Sequence, residues 1–180
     1  MKNVAALSLA CALSLVAVPA ALPQARLDIG GIFTKEIDIA TNDKTQKNVD
    51  DFLDELPFLP LPEIEANYQM DFGLVKAGAG FRAFSLIAES AVWPEACAEL
   101  DFGRASIEAR IGGGAFAMFG ILNRADFGRA FIPDLSAWLT IGEAKAFRLG
   151  CGAMGLYVPD AFGNAMTILV YVGGKASIVF

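Results

Sequence analysis

Glu99, Asp101 and Glu108 are the first side chains in this 180-residue chain whose type and spacing could do acid–base chemistry, as paired carboxylates in a cleft. Arg82, Arg110 and Arg148 lie at comparable positions, and structural ion pairing is the stronger reading of carboxylates matched in this way. The chain has no histidine, which removes the Ser–His and Cys–His nucleophile pairs and every histidine metal site. Cys11, Cys97 and Cys151 show neither CxxC spacing nor a disulfide framework. Asp-Phe-Gly occurs at 71–73, 101–103 and 126–128, with Ala-Phe-Gly at 161–163. An aspartate in that tripeptide holds magnesium only beside a Gly-rich loop, a strand lysine and a catalytic loop, and the sequence has none of these. The first two copies, within Gln69-Met70-Asp71-Phe72-Gly73 and Glu99-Leu100-Asp101-Phe102-Gly103, look instead like one hairpin element used twice. The copies at 126 and 161 fall in long loops and suit that scheme poorly. Gly78-Ala79-Gly80 and Gly112-Gly113-Gly114 lack the helix N-terminus that a phosphate cradle needs, and read as tight curvature inside strands. No catalytic, cofactor-binding or metal-binding set is expected, and the chain is not read as an enzyme.

Fourteen Lys and Arg against twenty Asp and Glu give a net charge of −6, without the clustered basic face that a nucleic-acid partner requires. A hydrophobic fraction of 55% is too apolar for a disordered chain, and the length suits about one domain. Met1 to Ala20 carries Lys2 and then an apolar run from Val4 to Val18, shorter than the ~20 residues of a spanning helix. Val18 and Ala20 are small residues at the −3 and −1 positions of a signal-peptidase site. Residues 1–20 are therefore expected to be a cleaved signal peptide ending at Ala20, with an uncleaved anchor helix as the alternative. Residues 21–180 are then the exported domain.

From residue 25 onward the recurring period is two. Ala25, Leu27, Ile29, Gly31 and Phe33 alternate with Arg26, Asp28 and Gly30. Seven further runs behave alike, at 66–74, 77–83, 96–102, 105–115, 135–141, 147–153 and 170–180. Alternation at this spacing puts each set on one side of a strand. Short connections at 74–76, 103–104 and 142–143 alternate with long ones at 34–64, 86–95, 116–134 and 154–165. Short turns on one rim and long loops on the other describe an eight-stranded antiparallel transmembrane up-and-down β-barrel, an all-β fold.

None of the residues in the apolar sets is charged. The opposite sets hold Arg26, Arg82, Arg110, Arg148 and Lys175 with Asp28, Asp71, Glu99, Asp101 and Glu108, five of each sign. Such a balance suits partners in a closed polar lumen, and the Ala-, Gly- and aromatic-rich face suits lipid. A soluble exported barrel with its apolar side inward alternates in the same way, and this alternative stays open. Phe72, Phe102 and Phe180 fall on the apolar face near the short-turn rim, where an aromatic girdle is expected. The loop 34–64 exceeds what a scaffold needs. Val49, Phe52, Leu53 and Leu56 recur at helical spacing with Asn48 as a cap. Phe58, Leu59 and Leu61 sit in a Pro-punctuated stretch that should stay out of a strand interior. They read either as a descent into the next strand or as an apolar contact for a surface ligand.

Phe180 is preceded at every second position by Ile178, Ala176, Gly174 and Val172. This resembles the C-terminal strand of bacterial outer-membrane β-barrel proteins. With the leader and eight strands, the chain resembles the small OmpA/OmpX/OmpW-like class. The resemblance implies outer-membrane lipid as surroundings and recognition of the strand ending at Phe180 by the barrel-assembly machinery. It implies a structural or surface-interaction role through extracellular loops, without a cofactor. Porin-like passage of small molecules, hydrophobic ones included, through a narrow or lateral route is the second reading, and a soluble periplasmic ligand-binding barrel is the third. The enzymes known on such barrels rely on His and Ser. The long first loop departs from the compact members of the class.

Overall fold

The computed structural model describes residues 23–37, 60–86, 89–120, 126–142, 146–157 and 166–180. The leader expected over 1–20 with its cleavage residue Ala20, the helix expected over 48–56, Phe58, Leu59 and the tripeptide at 161–163 lie outside the described residues. The strands are β1 (Pro23–Ile37), β2 (Pro60–Asp71), β3 (Val75–Leu86), β4 (Glu89–Asp101), β5 (Ala105–Gly113), β6 (Phe116–Gly120), β7 (Asp126–Gly128), β8 (Phe131–Ile141), β9 (Phe147–Leu156) and β10 (Thr167–Val179). All pairings are antiparallel. The order β3-β2-β1-β10-β9-β8-β5-β4 returns to β3, so eight strands close on themselves. Closure leaves these strands without an open edge, which is what lets a sheet stand in lipid. The short strands β6 and β7 pair with each other, and β6 extends the upper end of β4. The fold is the eight-stranded up-and-down barrel that the alternation calls for.

Which face points where is decided by exposure. Leu135 and Leu139 are each about three-fifths exposed, at 60% and 62%, while Arg82 is at 1% and Glu108 at 2%. Met70 and Ile107 also lie outside, and Arg26, Asp28, Glu99, Arg110 and Lys175 are all buried within. In β5 the pattern is strict, buried at Ser106, Glu108, Arg110 and Gly112 and exposed at Ile107, Ala109 and Ile111. A soluble barrel would show the reverse parity.

Two short turns are copies in structure as in sequence. In each, the Asp side chain accepts the backbone N–H of the Gly two residues on, at 2.7 Å for Asp71–Gly73 and for Asp101–Gly103. The glycines have φ of 87° and 88°, a conformation that costs other residues strain. Phe72 and Phe102 N–H groups donate to the carbonyls of Val75 and Ala105, closing each turn.

The long connections are shorter than the sequence suggests. β1 runs to Ile37 and β2 begins at Pro60, so the loop read as 34–64 contains strand at both ends. The stretch 86–95 is almost wholly strand, paired from Val75↔Leu100 to Leu86↔Glu89. Residues 116–134 hold β6, β7 and the start of β8, which places the third Asp-Phe-Gly in β7 and not in a bare loop. Residues 154–165 begin with the end of β9. Each strand proline sits where the ladder is broken on one side. The β2–β3 pairing starts only at Glu63, after Pro60 and Pro62. Pro94 faces the step between the β4–β5 and β4–β6 ladders. Pro133 precedes the β8–β9 ladder, which starts at Asp134. A residue without an N–H is tolerated at such gaps.

Candidate functional site

The lumen is a stack of layers, each supplied by inward positions of several strands. At its centre Glu108 of β5 is met by four cations. Lys175 Nζ donates to it at 2.8 Å, Arg148 Nη1 at 2.9 Å and Arg26 Nη2 at 3.1 Å, and Arg110 Nη2 also binds it. Arg26 reaches Asp28 through Nε at 2.9 Å and Nη2 at 2.6 Å, and Glu99 through Nη1 at 2.6 Å. Arg148 Nη1 bridges to Glu99 at 2.7 Å. Lys175 stands 3.1 Å from Asp28 and 4.3 Å above the Trp138 ring. Charges this well buried cost several kcal/mol each to desolvate, and mutual pairing offsets that cost.

Above this layer, on the side of the long connections, Arg110 pairs with Glu65, and Asn67 Nδ2 donates to Glu65 at 2.7 Å and to Glu95 at 3.3 Å. Arg82 Nε donates to Glu63 at 2.8 Å and Nη1 to Asp134, whose other oxygen accepts from Tyr171 Oη at 2.7 Å. Higher still the lumen turns apolar. Ile32, Phe84, Trp93, Ile132 and Met154 are buried together, with Leu61 and Phe116 packed against them. Eight strands leave an interior just wide enough for side chains to fill, and here salt bridges fill its middle and hydrocarbon its upper end.

Eight of the ten expected lumen charges, Arg26, Asp28, Arg82, Glu99, Glu108, Arg110, Arg148 and Lys175, sit in this network. The other two do not. Asp71 serves the turn at Gly73 and has no ion pair among the described residues. Asp101 pairs with Lys76 at 2.7 Å on the short-turn rim, where both side chains are about one-fifth exposed. Both residues end their strands one step from a turn, paired in the ladder with Lys76 and Ser106 respectively. Leu61 is corrected as well: it faces inward from β2 and packs against the apolar cluster, so it is not displayed on a loop. Glu63, Glu65, Glu95, Asp134 and Lys76 complete the pairing and were absent from the sequence-based set. All five keep the inward parity of their strands, and Glu63, Glu95 and Asp134 were hidden in stretches read as loop because prolines adjoin them.

Phe72, Phe102 and Phe180 project from the short-turn end at 40%, 58% and 75% exposure, while Phe33, Phe119 and Phe131 project outward near the opposite end. Cys97 faces the lumen and accepts a long contact of 3.6 Å from Gln69 Nε2, and Cys151 faces outward; both are free thiols. Among the described residues no cluster is spaced to hold a metal ion. Each carboxylate of the central layer already accepts from at least one cation, so the arrangement can lock strands together and obstruct passage.

No protein-family model and no curated protein matches the chain. Among solved structures it is similar to the Neisserial surface protein A, at 8% identity and TM-score 0.48, covering 90% of this chain and 99% of that one. It is similar also to Ail, the attachment invasion locus protein of Yersinia pestis, at 8% identity and TM-score 0.44, covering 89% and 100%. A structure of Ail with the heparin analogue sucrose octasulfate aligns at 8% identity and TM-score 0.42, covering 87% and 97%.

Proposed function

We propose that this chain is an exported barrel of the bacterial outer membrane with a structural or surface-interaction role and no catalytic chemistry. The observation that carries the reading is the inverted polarity: Leu135, Leu139, Ile111 and Tyr68 lie outside and an ion-paired network lies within. An exposed apolar surface running right round a barrel is incompatible with a water-soluble monomer, because such proteins rarely leave contiguous apolar patches beyond a few hundred Å². From Ala25 to Phe33, β1 keeps apolar or small residues outward over nine positions, about 20 Å of height at the usual tilt of ~40°. The outer surfaces bounded by Phe72, Phe102 and Phe180 at one end and Phe33, Phe119 and Phe131 at the other would be the interfacial aromatic girdles.

In this reading residues 1–20 are the export signal, cleaved after Ala20. The short turns face the periplasm, and the segments between β1 and β2 and around β6 and β7 are offered to the outside. A surface ligand would be met there, at the 34–64 connection with Phe58 and Leu59 as its candidate apolar contacts. Outer-membrane lipid surrounds the barrel, and the barrel-assembly machinery would read the alternating strand that leads to Phe180. The test is heat-modifiable migration. The detergent-extracted protein should run faster in SDS before boiling than after, because membrane barrels stay folded in SDS until heated. A single unshifted band, together with recovery of the protein in the aqueous fraction without detergent, would overturn the reading in favour of a soluble periplasmic barrel.

A further inference from the structure

We propose that the short-turn end of the barrel holds a water-filled, dead-end vestibule, a recess that admits small hydrophilic solutes from that end only. A cavity of about 360 Å³ opens there, lined by Lys76, Asp101, Ser106, Thr140, Arg148 and Ser177, with Glu99 at its base. One water needs only ~10–15 Å³ of such volume, so the recess takes a cluster of waters or a small solute. Three polar atoms along its wall are buried without a protein partner: the hydroxyls of Ser106 and Ser177, and Nε of Arg148. Ser106 is itself only 4% exposed. Solvent does reach the charged side chains of the recess, Lys76 at 21%, Asp101 at 23% and Arg148 at 11%, and groups of this kind call for occupants that donate and accept hydrogen bonds. Lys76 and Arg148 balance Asp101 and Glu99 in charge, so the lining selects neither sign.

The recess is closed from above. Arg148 is clamped to Glu99 and Glu108, Arg26 joins Glu99 to Glu108, and Lys175 ties Glu108 to β10. Beyond that layer stands Cys97, inward on β4 and adjacent in the ladder to Arg110. Cys97 is thus a native reporter on the far side of the seal, and Ser177 and Thr140 are reporters on the near side. The cellular compartment that the recess faces rests on the outer-membrane reading, but the recess itself does not.

The test is thiol labelling of the full chain, folded in detergent, with a small charged methanethiosulfonate. Ser177→Cys and Thr140→Cys are each placed in a Cys11→Ala, Cys151→Ala background that retains Cys97. Both introduced thiols should react on the order of 100-fold faster than Cys97, which must wait for the barrel to open. After unfolding, all should react alike. Protection of Ser177→Cys and Thr140→Cys equal to that of Cys97 would mean a dry, closed recess, and would overturn the proposal. Labelling of Cys97 as fast as the introduced thiols would mean a through-going pore, and would overturn it equally. Heat-modifiable migration of each variant is read separately, so a failure of the membrane-barrel reading shows there and not in the labelling ratio.

Discussion

Lys175 of β10 donates to Glu108 of β5 at 2.8 Å, across the lumen between strands that do not neighbour each other in the wall. Backbone ladders fasten each strand only to its two neighbours, whereas this pair and the Arg26–Glu99 and Arg82–Asp134 pairs run through the interior. The interior charges are therefore spokes of a closed ring. Their net contribution relative to an apolar filling is small, but removing one member strands the rest.

Glu108 has the most partners, so Glu108→Gln leaves Lys175, Arg110, Arg148 and Arg26 short of one negative charge. The expected loss is ~3–5 kcal/mol, read as the shift of the urea midpoint for the barrel refolded in lipid vesicles. Asp101→Asn breaks only the half-solvated pair with Lys76 and should cost about 0–1 kcal/mol. Similar losses for the two variants would show that the central layer is not the keystone described.

Obstruction of the lumen is twofold, ionic in the middle and apolar at the upper end, where Ile32 is wholly buried and Ile132 and Met154 nearly so. Wild-type protein in planar bilayers should pass no steady current. Glu108→Ala should pass none either, since the apolar layer still excludes water and ions. Sustained ohmic conductance from the wild type would favour the porin-like alternative.

The two Asp-Phe-Gly hairpins make a paired prediction. A Cβ built on Gly73 or Gly103 meets nothing within 4 Å, so the cost of Gly→Ala is backbone strain at positive φ and no clash. Gly73→Ala and Gly103→Ala should each destabilise by about 1–3 kcal/mol, and by the same amount within error, in parallel urea titrations. A large difference between them would refute the equivalence of the two turns.

What the sequence made legible, and what it hid, follow from one contrast. In the middle and lower parts of most strands the outer face is apolar and the inner face polar or charged, so period two stands out, as in Ile107-Glu108-Ala109-Arg110. Near the upper ends both faces are apolar: Phe131 points out and Ile132 in, Phe81 points out and Phe84 in. Alternation of hydrophobicity vanishes there although alternation of direction continues, and the strands look like loops. Prolines deepen the disguise, since Pro62, Pro94 and Pro133 are tolerated only because a neighbouring ladder stops beside them. That tertiary fact has no local signature. The charge network was legible as a set of inward ions, but its pairing was not, because which cation meets which carboxylate depends on strand order and register.

The sharpest trial of the inverted barrel sets one substitution against two environments. Leu135 is 60% exposed on β8, opposite Ala109 and Ala153, near mid-height of the wall. Leu135→Arg places a guanidinium against hydrocarbon and should cost ~2–4 kcal/mol in vesicles, measured by the urea midpoint, with little change in strand content by circular dichroism. In a water-soluble barrel of the same topology the exposed site would accept arginine within about 0.5 kcal/mol, as surface substitutions generally do. A second variant controls for nonspecific damage. Leu135→Ile keeps the face apolar and brings in a β-branched side chain suited to a strand, and should stay within ~1 kcal/mol of the wild type. An arginine as harmless as isoleucine at this position would mean that the outer wall meets water, and the lipid-facing assignment of every outward residue from Leu27 to Ile178 would fall with it.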